Sequence, residues 1–118
     1  MDKNVQISLM LDYYGDFLTP HQQKILRMYY DEDHSLAESA QLEGITRQGV
    51  RDAIQRGEAT LFRYEQCLGL LRRYEQMRKE IDSALAYIED VPMSAQQRQQ
   101  IQEHLRAIVE IWEGEDGI

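Results

Sequence analysis

The chain has 118 residues, a formal net charge of −8 and 42% hydrophobic side chains. That is the length of one domain with room for an extension, and it is too apolar for a disordered chain. A pI near 4.8 excludes a general nucleic-acid binder, whose domain is ordinarily basic. Prolines number only two, β-branched residues are sparse, and Gln, Glu, Leu, Arg and Ala dominate. An all-α protein is expected.

The charge is uneven. Residues 1–44 carry −5, residues 45–79 carry +4 and residues 80–118 carry −7. The central block attracts phosphate or an acidic partner, while its flanks repel a long polyanion. The single cysteine, Cys67, lies among Leu61, Leu68 and Leu71, which points to core or interface packing. No signal peptide is read and no apolar run is long enough to span a bilayer. A cytoplasmic protein without membrane insertion is expected.

In chain order, residues 4–18 read as an amphipathic helix. Val5, Ile7 and Leu9 start its inner face, and Leu11, Tyr14, Phe17 and Leu18 extend it. Thr19 caps a second helix over 20–31, with Pro20 at its first position and Gln22 completing a capping box. Ile25, Leu26, Met28 and Tyr29 give that helix a broad apolar face. Asp31-Glu32-Asp33-His34 is a short polar loop.

Residues 35–57 carry the strongest signal, a helix-turn-helix. Ser35 and Glu38 form a capping box, and Leu36 and Ala40 share a face. Gly44 stands where the chain must turn with φ > 0. Thr46 caps the next helix from Arg47, whose inner side is Val50, Ala53, Ile54 and Gly57. At about 100° per residue, Arg47, Gln48, Arg51 and Gln55 gather within roughly a quarter turn on the outer side. In a DNA-binding helix-turn-helix that outer N-terminal face meets base edges in the major groove. The same spacing also serves a packed helical pair with a solvated polar face.

Beyond it, Val50, Ile54, Gly57, Leu61, Tyr64, Leu68 and Leu71 step by fours and threes, an apolar seam that ends at Glu75. Tyr74, Met77, Ile81, Leu85 and Ile88 resume it in shifted phase. The pattern predicts either one long helix with a register break or two helices joined near residues 72–80. The seam covers the N-terminal helices, pairs with a second subunit, or does both; a homodimer is expected from it. Val91-Pro92-Met93 breaks the chain. Ser94 and Gln97 form another capping box for a last helix over 95–113, burying Ile101, Leu105, Ile108, Val109 and Trp112. That helix folds back as an antiparallel hairpin on residues 77–89, and residues 114–118 fray.

Several blocks along residues 9–70 resemble one known family. They are Tyr13-Tyr14, Leu18-Thr19, Gln22 to Tyr30, Ser35-Leu-Ala-Glu, Gly44, Thr46-Arg-Gln-Gly-Val, Ile54-Gln-Arg-Gly-Glu, Leu61 and Tyr64-Glu65. They look like the YlxM-like family of small bacterial helix-turn-helix proteins. The resemblance implies a domain similar to region 4 of sigma factors. It also implies a role in, or in regulating, the signal recognition particle pathway. Ser39 departs from the family, where an isoleucine is usual, and residues 75–118 carry no resemblance.

The expected organisation is a helix-turn-helix domain over 1–71 with N-terminal bracing helices, sigma region 4-like by resemblance. A long helix and a C-terminal helical extension over 72–118 follow, packed with it as one domain. Two functions fit. In one the chain binds DNA: Arg47, Gln48, Arg51 and Gln55 face the bases, and Thr46, Arg56 and Arg63 meet phosphate. In the other the same face docks on the signal recognition particle, at its GTPase or its RNA. No phosphate loop, nucleophile elbow or zincin motif occurs, so no enzyme and no cofactor are expected. His21, His34 and His104 lack ligand spacing, which leaves no expected metal and assigns each a surface or capping place. The seven tyrosines look like core and interface material; a base-stacking platform would need them exposed beside the basic residues.

Overall fold

In a computed structural model, which describes residues 2–114, the elements are α1 (Lys3–Tyr14), a 3-10 turn (Gly15–Phe17), α2 (Pro20–Tyr30), α3 (Leu36–Glu43), α4 (Arg47–Leu68), α5 (Leu70–Asp90) and α6 (Ala95–Glu113). No strand occurs among the described residues, and none of their helices is long and apolar enough to cross a membrane. The chain divides into two compact units, Met1–Leu71 and Arg72–Ile118.

In the first unit, α1, α2 and α3 each pack on α4. The core joins Ile7, Met10, Leu11 and Tyr14 of α1 to Ile25 and Leu26 of α2, Ala40 of α3 and Val50, Ile54 and Leu61 of α4. Gly57 lies on the same inner face of α4, buried against Leu26. The seam from Val50 to Leu61 is therefore consumed inside this unit, whereas Leu68 is 47% exposed. Arg27 ties α2 to α1: its Nη1 lies 3.5 Å from Asp12 and 3.1 Å from Asp31, and its Nη2 donates to the Leu11 carbonyl at 3.4 Å. Burial nonetheless holds the Asp12 carboxyl above its usual range, against the pull of Arg27.

Several details differ from the sequence expectation, and Val5, placed on the inner face, is 47% exposed. The first helix stops at Tyr14, and the 3-10 turn rotates Phe17 out of the inner face. Phe17 is 57% exposed and stacks on Tyr64, with centroids 4.5 Å apart. The long amphipathic stretch is two helices, and their junction is Gly69, upstream of residues 72–80. Gly69 adopts φ 65° and its N–H donates to the Glu65 carbonyl, a left-handed C-cap. Cys67 stands exposed on the last turn of α4 instead of entering the core.

In the second unit α5 and α6 form an antiparallel pair. The Tyr74 hydroxyl donates to Glu113 Oε1 at 2.6 Å at one end, and Arg98 Nε donates to the Ile88 carbonyl at 3.2 Å at the other. Tyr74, Ile81, Ile88 and Val109 are buried, and Leu105 and Trp112 are half-buried. Ile101 and Ile108, expected inside, are 38% and 46% exposed, because a two-helix pair covers only one flank of each partner's stripe. The expected fraying covers residues 114–118; the Gly114 N–H donates to the Glu110 carbonyl at 2.8 Å, and residues 115–118 lie outside the described residues.

Candidate nucleic-acid interface

Local chemistry sets the α3–α4 corner. Ser35 Oγ accepts from the Glu38 N–H at 3.0 Å and Glu38 Oε1 accepts from the Ser35 N–H at 3.1 Å, a reciprocal capping box. These bonds favour the ionised carboxyl and hold Glu38 below its usual range. Gly44 takes φ 67°, and the Ile45 N–H returns to the Ala40 carbonyl at 3.1 Å. Thr46 Oγ1 then accepts from the Gly49 N–H at 2.9 Å and starts α4. Buried Ala40 and Val50 take part in the core at the crossing, as such a corner requires.

Helix-turn-helix geometry is thereby fixed, with α4 as the second helix. A family model described as "Putative helix-turn-helix protein, YlxM / p13 like" matches residues 1–107. The chain belongs to this UPF0122 family. Among its UPF0122 relatives is one from Symbiobacterium thermophilum, 42% identical over 97 residues, covering 81% of this chain and 91% of the relative. One from Geobacillus kaustophilus is 41% identical over 88 residues, covering 75% and 80%. One from Acetivibrio thermocellus is 38% identical over 116 residues, covering 93% and 99%. The UPF0122 description is that of a helix-turn-helix protein, not of an enzyme.

The seven candidate residues do not form one cluster. Arg47, Gln48, Arg51 and Gln55 are exposed on the first half of α4, spanning about 12 Å of helix axis. The side chains of Arg47, Arg51 and Gln55 make no hydrogen bond or ion pair with any described residue. Gln48 Nε2 donates to Asp52 Oδ1 at 3.0 Å, one turn on, so a carboxylate shares this face. The Thr46 hydroxyl is engaged as the cap. Arg56 turns to another flank, where it borders a hollow of about 430 Å³ with Thr19, His21, Gln22, Gly49, Asp52 and Ala53. Arg63 lies about 24 Å along the axis from Arg47 by helical rise. Its guanidinium sits 5.9 Å from the Tyr64 ring centroid.

Sequence reasoning missed a second hollow, of about 280 Å³, bordered by Tyr29, Tyr30, Leu36, Arg51, Ile54, Gln55 and Glu58. Its signal was present in the paired tyrosines, but nothing local says which residues of α4 they meet. Tyr30 donates its hydroxyl to Glu58 Oε1, and burial together with this carboxylate pushes its pKa up. His21 and His104 are exposed; His34 is half-buried and its Nδ1 has no partner among the described residues. The described residues contain no cluster of side chains able to hold a metal ion.

Proposed function

We propose that the chain is a DNA-binding regulator that lays the first half of α4 in a major groove. The observation that carries this reading is the exposed and unpaired row Arg47, Arg51 and Gln55, on a helix braced from behind by α1, α2 and α3. A major groove about 12 Å wide admits one such helix. Arg47 and Arg51 suit guanine O6 and N7, and Gln48 and Gln55 suit adenine N6 and N7. Thr46, Arg56 and Arg63 are the phosphate contacts. A homodimer places two α4 helices about one DNA turn apart. The resemblance read in the sequence blocks supports the signal recognition particle pathway as the regulated process.

The test is selection of bound fragments from random duplex at fixed salt, followed by titration of the enriched sequence. Arg51→Ala is expected to cost about 1–3 kcal/mol on that sequence and little on random DNA. Absence of enrichment, or unchanged affinity in the variant, would overturn the reading.

One observation favours a second reading, an adaptor whose α4 face docks on a protein partner, the signal recognition particle GTPase and not its RNA. Asp52 stands on the outer face, bonded to Gln48, where it repels phosphate and suits a basic protein surface. Asp52→Asn separates the two: it strengthens DNA binding under the first reading and weakens partner binding under the second.

A further inference from the structure

The hollow between α2 and α4 combines three features, and docking of α4 in an intact duplex uses only the third, its polar rim. Its walls are aromatic: the Tyr29 and Tyr30 rings lie 5.0 Å apart at 86°. Its floor is apolar, from Leu36 and Ile54. Its rim carries Arg51 and Gln55, neither of whose side chains has a hydrogen bond or ion pair to any described residue. The remaining polar wall is already satisfied, since Glu58 Oε1 takes the Tyr30 hydroxyl and its Oε2 pairs with Lys3 at 3.7 Å. The volume, about 280 Å³, falls just below the roughly 300–1,000 Å³ of ligand pockets, which leaves room for one small planar group.

We propose that this pocket receives one unpaired nucleobase of a nucleic-acid strand, stacked on the aromatic wall, with Arg51 on its phosphate and Gln55 on its base edge. The inference rests on the nucleic-acid reading above and deepens it. Stacking is tolerant of sequence because every base has a π-face. The Gln55 amide both donates and accepts, so it meets any base edge. A paired base stays within its stack and does not reach the pocket, whereas a loop, bulge or single strand presents one. Arg51 and Gln55 belong to both the outer face of α4 and the pocket rim, so duplex reading and base capture compete for the same two side chains.

The test uses the full chain and fluorescence anisotropy with three labelled probes of roughly 12 nucleotides. They are a single strand, its perfect duplex and the same duplex with one unpaired central nucleotide. The single strand and the bulged duplex are expected to bind more tightly than the perfect duplex. Tyr29→Ala is expected to weaken both by about 5- to 150-fold and to leave the perfect duplex unchanged. Tyr29→Phe, which keeps the stacking face, is expected to bind as the parent. In the unmutated chain the base protons of the unpaired nucleotide move upfield on stacking, a readout that does not depend on how the variants fold. Equal binding of all three probes, base protons that do not move, or displacement of the strand by an equal concentration of free AMP would each overturn the proposal. Arg47→Ala lies outside the pocket. If it weakens perfect duplex while Tyr29→Ala changes nothing, only base capture fails; if no probe binds at all, the nucleic-acid reading fails with it.

Discussion

Tyr14 and Glu65 stand fifty-one positions apart, yet the Tyr14 hydroxyl donates to Glu65 Oε1 at 2.8 Å. The same carboxylate oxygen accepts from the Leu71 N–H at 2.9 Å, and the Tyr14 oxygen accepts from the Leu70 N–H at 3.1 Å. Two side chains from α1 and α4 thus satisfy amide groups that the first turn of α5 cannot satisfy itself. A hydrogen bond to a charged group contributes about 1.5–3 kcal/mol, and its loss leaves buried groups unpaired. Tyr14→Phe is therefore expected to lower stability by about 2 kcal/mol, read as a shift in the urea midpoint at constant slope. An unchanged midpoint would show that water replaces the pair without cost.

The same pair sets an alkaline limit. Burial, reinforced by Glu65, pushes the Tyr14 pKa from 10.0 up to about 12. The folded state then holds a proton that the unfolded state has lost. This contribution is fully present below pH 10 and disappears as pH rises through about 12. Urea midpoints followed across that window are expected to fall more steeply for the parent than for Tyr14→Phe, since other titrating groups are common to both. Parallel curves would contradict the shift.

Gly57 tests packing against helix propensity. Alanine in a helix interior is favoured over glycine by about 1 kcal/mol. At Gly57, however, an added Cβ runs into Leu26 Cδ1 and reaches 3.2 Å from its Cγ, and Leu26 is fully buried. Overpacking costs about 1–3 kcal/mol. Gly57→Ala is expected to destabilise by up to about 2 kcal/mol, and the sign of the change in thermal midpoint decides which effect wins.

Ser39 is fully buried, and its Oγ has no partner among the described residues. Removing an unpaired buried hydroxyl recovers part of a desolvation cost of about 1–3 kcal/mol, and alanine favours the helix. Ser39→Ala is expected to stabilise by about 1 kcal/mol in chemical denaturation. A loss of stability would mean that the hydroxyl is bonded to water in solution.

Gly44 separates backbone from packing. Its φ is 67° and an added Cβ would meet nothing within 4 Å. Gly44→Ala is expected to cost about 1–2 kcal/mol from the left-handed conformation alone. Mutant and parent should share their circular dichroism and differ in midpoint; equal midpoints would mean the corner reorganises.

Much of this protein was legible in its sequence, where a bond closes within a few residues. The boxes Thr19–Gln22, Ser35–Glu38 and Ser94–Gln97 all form as read, because cap and acceptor are three positions apart and need no other element. Gly44 was equally legible, since it follows a capped short helix. Burial of Val50, Ile54 and Leu61 followed from helical period. Their partners in α1 and α2 did not, because period gives a face and not what covers it. Gly57 and Gly69 show the limit most clearly. Both are single glycines in one amphipathic run, yet Gly57 continues the helix under Leu26 while Gly69 ends it at φ 65°. What distinguishes them is tertiary: Leu26 needs the space at one, and Tyr14 with Glu65 caps the helix that begins after the other. The hollow that joins Tyr29 and Tyr30 to Arg51 and Gln55 arises the same way, since residues of α2 and α4 meet only once the core has closed between them.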